Sequence, residues 1–77
     1  MSRIAAFGEA VRRRRKHLGL SQEALGFVSG LDRTYVSGIE RGVRNPTLRI
    51  IWRLAEALST TPSALFKASE KRIGKRR

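Results

Sequence analysis

The sequence predicts an all-α fold in which five short helices enclose one small core. Apolar residues recur three and four positions apart in successive segments, which is the spacing of one face of an α-helix. Glycines and helix-capping residues separate these segments. No segment shows the alternation of apolar and polar residues that is typical of a strand, and a chain of 77 residues with 40% apolar content holds a single core.

The first predicted helix extends over Ser2–Leu18. Its apolar stripe consists of residues three, four and seven positions apart, namely Ile4, Phe7, Val11 and Leu18. Gly19 is the expected stop signal at the C-terminal end. The basic run at residues 12–16 lies in the last turns, where cations complement the partial negative charge of a helix end.

Two shorter helices follow. Ser21 offers an N-cap oxygen for the second helix, which Gly30 terminates, and Asp32 offers one for the third, which Gly42 terminates. The residues expected to face the core are Ala24, Leu25 and Val28 in the second helix and Val36 and Ile39 in the third.

The fourth and fifth helices begin at threonine caps. Thr47 precedes the most hydrophobic segment, whose predicted inward face is Leu48, Ile51, Leu54, Ala55 and Leu58. Thr61 is followed by a proline, which is favoured at the first helical position. The fifth helix is expected to carry Leu65 and Phe66 inward and to give way to irregular chain from Lys71 onward.

The charge is strongly positive and unevenly distributed. The net charge is +11; residues 1–16 and residues 67–77 each carry six bases and one acid, whereas residues 17–66 carry five bases and four acids. A polyanion is the expected partner, although a solvated helix face and a frayed tail would give the same pattern. We divide the chain into a domain over residues 1–68 and a basic C-terminal tail over residues 69–77.

The composition excludes several kinds of chemistry. The chain has no cysteine, so it offers no disulfide, no thiolate metal site and no cysteine nucleophile. His17 is its single histidine and the carboxylates are not clustered, which predicts neither a metal site nor a catalytic triad. The longest apolar run is four residues, too short for a membrane span or a secretion signal. We expect a cytoplasmic protein with no cofactor and no enzymatic activity.

Residues 22–39 have the features of a helix-turn-helix. Gly26 is small where the two helices must approach closely, and Gly30 can adopt positive φ in the turn. The positions that must face the core are apolar in both helices, namely Leu25, Leu31, Val36 and Ile39. Several independent requirements of the motif are therefore met together.

Three stretches of the sequence carry a family resemblance. Residues 19–23 (Gly-Leu-Ser-Gln-Glu), the run at residues 31–42, and residues 45–47 (Asn-Pro-Thr) resemble the phage-repressor (Cro/C1, XRE-like) family. Within it, the string Asp-Arg-Thr-Tyr-x-Ser-Gly-x-Glu-Arg is similar to that of restriction-modification controller proteins. The resemblance covers about residues 3–66. It implies a domain of the lambda-repressor-like type that binds a palindromic operator in double-stranded DNA as a homodimer, with the third helix in the major groove.

The third helix offers candidates for reading bases. Val36 and Ile39 point inward, so the opposite and flanking faces carry the predicted base-reading residues, Arg33, Thr34 and Ser37. A guanidinium near the helix N-terminus can donate two hydrogen bonds to guanine O6 and N7. An alternative for Arg33 is a capping or intrahelical pair with Asp32.

Contacts to the DNA backbone are predicted around that helix, at Ser21, Gln22, Tyr35, Arg41, Arg44 and Asn45. Ser21 is also the cap of the second helix, which is its favoured role. Tyr35 is compatible with stacking, with a phosphate contact through its hydroxyl, or with covering the helix pair. For Arg41 and Arg44 the alternative is ordinary solvation, and the resemblance places a phosphate contact in their loop.

Two further pairs of residues are assigned to the scaffold and to assembly. The resemblance implies an ion pair between Arg15 and Glu40 that ties the first helix to the recognition helix. Because one recognition helix covers only a few base pairs, we expect a homodimer joined through the fourth and fifth helices. Leu65 and Phe66 are about 100° apart around a helix, so one of them should face the partner. In the alternative, both pack beneath the fourth helix of a monomer.

The sequence thus predicts a sequence-specific transcriptional regulator, with a role as a restriction-modification controller among the possibilities. The alternative is an antitoxin-like autorepressor that also binds a protein toxin, which would use the same fold. A basic coat protein without sequence preference is a third hypothesis, and the ordered helix-turn-helix argues against it.

Overall fold

The computed structural model describes residues 1–74 as five α-helices, and no strand occurs among these residues. In chain order the helices are α1 (Arg3–His17), α2 (Gln22–Ser29), α3 (Arg33–Glu40), α4 (Leu48–Ala57) and α5 (Pro62–Ile73). The prediction of a five-helix, all-α fold is confirmed. None of these helices is long and apolar enough to cross a lipid bilayer.

Local signals define the helix ends. In every helix the cap side chain accepts a hydrogen bond from a backbone N–H of the first turn; the caps are Ser2, Ser21, Asp32, Thr47 and Thr61. Gly19 and Gly42 follow α1 and α3 with φ of +74° and +76°. The predicted caps and glycine stops are confirmed.

All five helices contribute to one core. The buried cluster consists of Phe7, Val11, Leu25, Val36, Ile39, Ile51, Leu54, Ala55, Leu58 and Leu65. Helix α1 packs against α3 and α5, while α2 packs against α3 and α4. Helix α3 is therefore held in place by two neighbours, α1 and α2.

The contact between α1 and α3 is unusually close at Gly8. A Cβ atom on this residue would lie 2.1 Å from the carbonyl oxygen of Ile39 and 2.8 Å from that of Glu40. Only glycine allows the α1 backbone to approach the end of α3 this closely. No sequence pattern marked this position in advance.

Four residues that were expected to face the core are exposed: Leu18, Val28, Leu48 and Phe66. Phe66 points outward because Leu65, about 100° away around α5, occupies the buried side of that helix. Leu18 is the C-cap of α1 and Leu48 is the first residue of α4, so neither lies on the buried stripe of its helix. In α2 the buried positions are Leu25, Gly26 and Ser29, which turns Val28 outward. The buried Ser29 hydroxyl donates to the Leu25 carbonyl at 2.6 Å, which satisfies its polar group inside the core.

The fifth helix is longer than predicted. Lys71 and the two following residues are helical. Helix α5 packs on α1, and its less exposed residues recur at helical spacing up to position 72. These residues are Leu65, Ala68, Ser69 and Arg72. Gly74, with φ of +104°, follows its end. The expectation of irregular chain from Lys71 is therefore wrong as far as Ile73. Residues 75–77 of the predicted tail lie outside the described residues.

Candidate nucleic-acid interface

Helices α2 and α3 form the predicted helix-turn-helix. The turn passes through Gly30, which has φ of +76° and ends α2 in the left-handed conformation. A Cβ atom on Gly26 would lie 2.5 Å from the carbonyl oxygen of Leu31, so this glycine allows the turn to approach α2. Both glycines therefore have the roles that the sequence indicated.

Asp32 is the N-cap of α3 and orders the first turn of this helix. Its carboxylate accepts hydrogen bonds from both the hydroxyl and the backbone N–H of Thr34. These hydrogen bonds hold the pKa of the Asp32 carboxyl below its ordinary value, and the bond from the Thr34 hydroxyl has the larger effect. The nearby positive charge of Arg33 lowers the pKa further. Because the Thr34 hydroxyl donates its proton to Asp32, its oxygen lone pairs and its methyl group remain for other contacts.

The outer face of α3 is polar. Val36, Ile39 and Glu40 are buried, whereas Arg33, Thr34 and Arg41 are exposed and Ser37 is half-buried beside them. Arg33 makes no ion pair with Asp32 within 4.0 Å, which leaves its guanidinium available. The Arg41 Nε donates to the Ser37 hydroxyl at 3.2 Å, so the Ser37 proton is free to be donated elsewhere. The three predicted base-reading residues thus share one accessible face.

The residues predicted to contact the DNA backbone lie at the start of α2, within and at the end of α3, and in the loop after α3. Ser21 caps α2, since its Oγ accepts from the Ala24 N–H at 2.9 Å. The side-chain amide of Gln22 donates to Glu40 Oε1 at 3.1 Å, a bond that the sequence analysis did not anticipate. Tyr35 is half-buried, and Asn45 is exposed in the loop between α3 and α4.

Arg44 belongs to the loop after α3, and its side chain packs against α3. Its guanidinium carbon is 5.7 Å from the centre of the Tyr35 ring, and its Cγ occupies the space beside Gly38, 2.5 Å from where a Cβ would stand. Sequence reasoning did not identify Gly38. A glycine in the interior of a short helix was the available signal, because such a residue commonly marks a close approach.

The predicted ion pair between Arg15 and Glu40 is present and buried. Arg15 Nε and Nη2 donate to the two carboxylate oxygens at 2.7 and 2.9 Å, a bidentate arrangement that raises the pKa of Arg15 through the hydrogen bond with Glu40. Arg15 Nη1 also donates to the Leu20 carbonyl at 2.8 Å. With the Gln22 amide on the same carboxylate, this network joins α1, α3 and the start of α2.

The two residues predicted at the dimer seam differ in exposure. Leu65 is 3% exposed and belongs to the core, whereas Phe66 is 43% exposed. The Phe66 ring lies 5.7 Å from that of Phe7, at the edge of an open groove of about 550 Å³ between α1 and α5. Ile73, two turns further along α5, is equally exposed and lines the same groove. Phe66 is therefore the outward member of the pair.

Within residues 1–74, no three His, Asp or Glu side chains are grouped closely enough to hold a metal ion. The chemistry that this surface offers is hydrogen bonding and positive charge.

Comparison with known proteins gives consistent results. The model of the Helix-turn-helix family HTH_3 matches residues 11–65. The chain is 45% identical over 61 residues to control protein C.BamHI of Bacillus amyloliquefaciens, covering 78% of this chain and 75% of that protein. It is 49% identical over 58 residues to control protein C.SmaI of Serratia marcescens, covering 75% and 69%.

A solved structure agrees with these matches. The restriction-modification controller protein C.AhdI from Aeromonas hydrophila is similar to this chain with a TM-score of 0.79 and 52% identity, covering 80% of this chain and 94% of that one. Sequence and structure therefore lead to the same family. The chain belongs to the HTH_3 helix-turn-helix family of transcriptional regulators and is homologous to restriction-modification controller proteins.

Proposed function

We propose that this protein binds a palindromic operator as a homodimer, places α3 in the major groove, and regulates the genes of a restriction-modification system. The observation that carries the proposal is the polar outer face of α3, where Arg33, Thr34 and Ser37 are accessible while the opposite face is buried. The relatives named as control proteins support the regulatory role.

The hydrogen-bonding state of each side chain suggests what it reads. Arg33 offers two parallel donors, which match guanine O6 and N7. Thr34, whose proton is engaged by Asp32, offers an acceptor and a methyl group, which suit an exocyclic amine or the thymine methyl group. Ser37 accepts from Arg41 and keeps a proton to donate to a base acceptor.

Contacts to phosphates are assigned to the groups around this face. The free backbone N–H groups in the first turn of α2 point toward the helix N-terminus, where an anion is favoured. Ser21 and Gln22 stand at this end, whereas Arg41 is the C-cap of α3 and Asn45 is exposed in the loop that follows. The Tyr35 hydroxyl is a further candidate for a phosphate contact. These groups would fix the register of α3 without carrying sequence information.

The dimer is assigned to the exposed apolar side of α5. Phe66 and Ile73 are seven residues apart and so lie on one side of the helix, next to the groove between α1 and α5. A two-fold axis brings the same surface of both copies together, so each copy would cover these two residues of the other. The symmetry would place two copies of α3 one turn of B-DNA apart, about 34 Å.

Selection of bound duplexes from random DNA tests the proposal. We expect recovery of a palindrome whose half-site centres are about 10 base pairs apart. A promoter carrying that sequence, placed before a reporter gene, should then respond to the wild-type protein. Recovery of sequences without a common motif would contradict the proposal and favour a nonspecific DNA-binding protein.

A further inference from the structure

The exposed side of α4 carries two parallel strips of different chemistry. Leu48 and Trp52 are four residues apart and form an apolar strip; they are 65% and 51% exposed. Arg49 and Arg53, both exposed, are also four residues apart and form a basic strip about 100° further around the helix. Neither strip belongs to the α3 face or to the α5 surface assigned above.

An open groove runs along these strips, and we call it the Trp52 groove. Its volume is about 520 Å³ and its walls are Leu48, Arg49, Trp52, Arg53 and Glu56. A second depression of about 180 Å³ shares Arg53 and Glu56 with it and extends to Val28 of α2. The groove therefore continues from the exposed side of α4 toward α2.

The Trp52 ring has no stacking partner within residues 1–74. In this part of the chain the paired rings are Phe7 and Phe66, and the cation over a ring is Arg44 over Tyr35. The indole of Trp52 thus presents a large planar surface to water. A planar ring with an uncovered face is the kind of group that would stack on it.

The basic strip is equally unoccupied. Among the same residues, no carboxylate lies within 4.0 Å of the Arg49 or Arg53 guanidinium. Glu56 is the one acid in the groove, and it forms no ion pair with either of them. Two guanidinium groups that keep their donors can bind phosphate oxygens.

The two strips match a single nucleic-acid strand. Unpaired bases can stack on an aromatic side chain while the sugar-phosphate backbone follows a line of positive charge. In a duplex the base faces are covered by the neighbouring base pairs and are not available to Trp52. A second copy of this chain is a poorer match, because two apolar residues provide far less area than a stable interface needs, and a two-fold contact would bring the arginines of both copies together.

We propose that the Trp52 groove is a second nucleic-acid site, specific for single strands. An unpaired base stacks on Trp52, and Arg49 and Arg53 bind the adjacent phosphates. Glu56 is placed to accept a hydrogen bond from an amino group of a base. Each strip is about 6 Å long, so the site holds a short stretch of strand. This function is separate from the proposed operator binding by α3.

The fluorescence of Trp52, the only tryptophan of the chain, monitors the site directly. The protein is first saturated with a random-sequence duplex, which occupies its duplex-binding surface. It is then titrated with a ten-nucleotide oligoadenylate, as DNA and as RNA. We expect saturable quenching by single strands and no further quenching by added duplex. Quenching by either oligonucleotide supports the site, and the tighter one identifies the preferred kind of strand.

Variants separate stacking from charge and from apolar contact. With the duplex present, Trp52→Leu should weaken binding of labelled oligoadenylate by about 5- to 150-fold in fluorescence anisotropy, whereas Trp52→Phe keeps a ring and should retain most of the affinity. Arg49→Gln with Arg53→Gln should weaken binding and make its salt dependence shallower. The matched control is Lys67→Gln with Lys71→Gln, which removes two exposed charges from α5 and should have little effect.

Absence of quenching in the wild type, or equal oligoadenylate affinity for Trp52→Leu and the wild type, would overturn the proposal. So would equal weakening by the control pair and by the pair on α4, which would show an effect of general charge. A blue shift of the Trp52 emission that grows with protein concentration, without any oligonucleotide, would assign the groove to contact between copies.

The outcome is independent of the proposed operator. A protein that recovers no palindrome but binds single strands through Trp52 would contradict only the operator model. A protein that recovers a palindrome but shows no Trp52-dependent binding would reject only the second site.

Discussion

Glu40 is the carboxylate on which the polar contacts of three helical segments converge. It accepts two bonds from Arg15 and one from the Gln22 amide, and it is buried beside the end of α3. A buried charge needs such partners, because desolvation otherwise opposes its ionised form. Its role is therefore in the scaffold, although it lies next to the residues proposed to contact DNA.

Replacement of Glu40 by alanine should destabilise the fold substantially. The change leaves the Arg15 guanidinium buried and without its partner, which typically costs about 3–5 kcal/mol. Urea unfolding of wild type and Glu40→Ala measures the difference. Arg12→Ala is a suitable control, because its pair with Glu9 at 3.6 Å is partly exposed and should contribute about 0–1 kcal/mol. Unchanged stability and unchanged DNA affinity in Glu40→Ala would contradict this role.

Arg33→Ala should remove discrimination at one guanine in each half-site. The expected loss is about 1–3 kcal/mol for the matched operator relative to an operator changed at that position. Binding to a random duplex should decrease much less. Fluorescence anisotropy on the three duplexes gives the comparison, and an equal loss on all of them would reassign Arg33 to a phosphate contact.

The stabilisation that the Asp32 cap gives to α3 should be lost at low pH. The depressed pKa of Asp32 means that its ionised form stabilises the folded state. This contribution is complete above the ordinary carboxyl pKa and is lost as the pH falls through the lower, folded-state pKa. Titration of the Asp32 carboxyl carbon by NMR should give a midpoint below that of an unstructured peptide, and Thr34→Val should raise it. A midpoint at the peptide value would refute the capping geometry.

At the scale of helices, α1 and α3 are held together by a close backbone contact at Gly8. Gly38 is also a glycine inside a helix, but its absent Cβ is replaced by the flexible side chain of Arg44. An alanine at position 8 would therefore collide with the rigid backbone of α3, whereas an alanine at position 38 would collide with a side chain that can move. The two glycines form a matched pair for separating packing from helix propensity.

Gly8→Ala should lower stability by about 1–3 kcal/mol or more, since the added methyl group overlaps the Ile39 carbonyl and must push α1 away from α3. Gly38→Ala should be neutral or stabilising by up to about 1 kcal/mol, because alanine is the better helix former. Thermal unfolding of both variants tests the contrast. Similar melting temperatures for the two would show that the α1–α3 contact relaxes easily.

At the scale of the whole molecule, the side of α5 next to α1 carries an exposed apolar surface. Leu65 and Phe66 are adjacent in the sequence, yet the fold buries one and exposes the other. The neighbouring groove carries further apolar surface from Phe7 and Ile73. An exposed aromatic residue beside such a groove is typical of an association surface.

Phe66→Asp should convert the proposed dimer into a folded monomer with weaker operator binding. Ile73→Asp should have the same effect with less disturbance of the Phe7 ring. Leu65→Asp, in contrast, should unfold the domain, because it buries an unpaired charge in the core. Sedimentation equilibrium with circular dichroism separates these outcomes. A wild-type protein that is monomeric at tens of micromolar, with operator affinity unaffected by Phe66→Asp, would rule out the dimer.

The sequence by itself determined the five helices, their caps and the helix-turn-helix, because these depend on hydrogen bonds and backbone angles within a few residues. The ion pair between Arg15 and Glu40 was predicted from the family resemblance. The rotation of each helix, in contrast, was decided by the packing of distant segments. A periodic pattern locates a buried stripe only to within about one residue, or 100°, and this is why Val28 and Leu48 were misplaced.

The tertiary structure alone decided which groups meet across the chain. The approach of Gly8 to the Ile39 carbonyl and the position of Arg44 over Tyr35 depend on how a helix and a loop dock on α3. No local propensity encodes such contacts, since they arise from the shape left by all the other side chains. The sequence therefore determined that α3 presents a polar, accessible face, and the packed domain decided which side chains are held beside it.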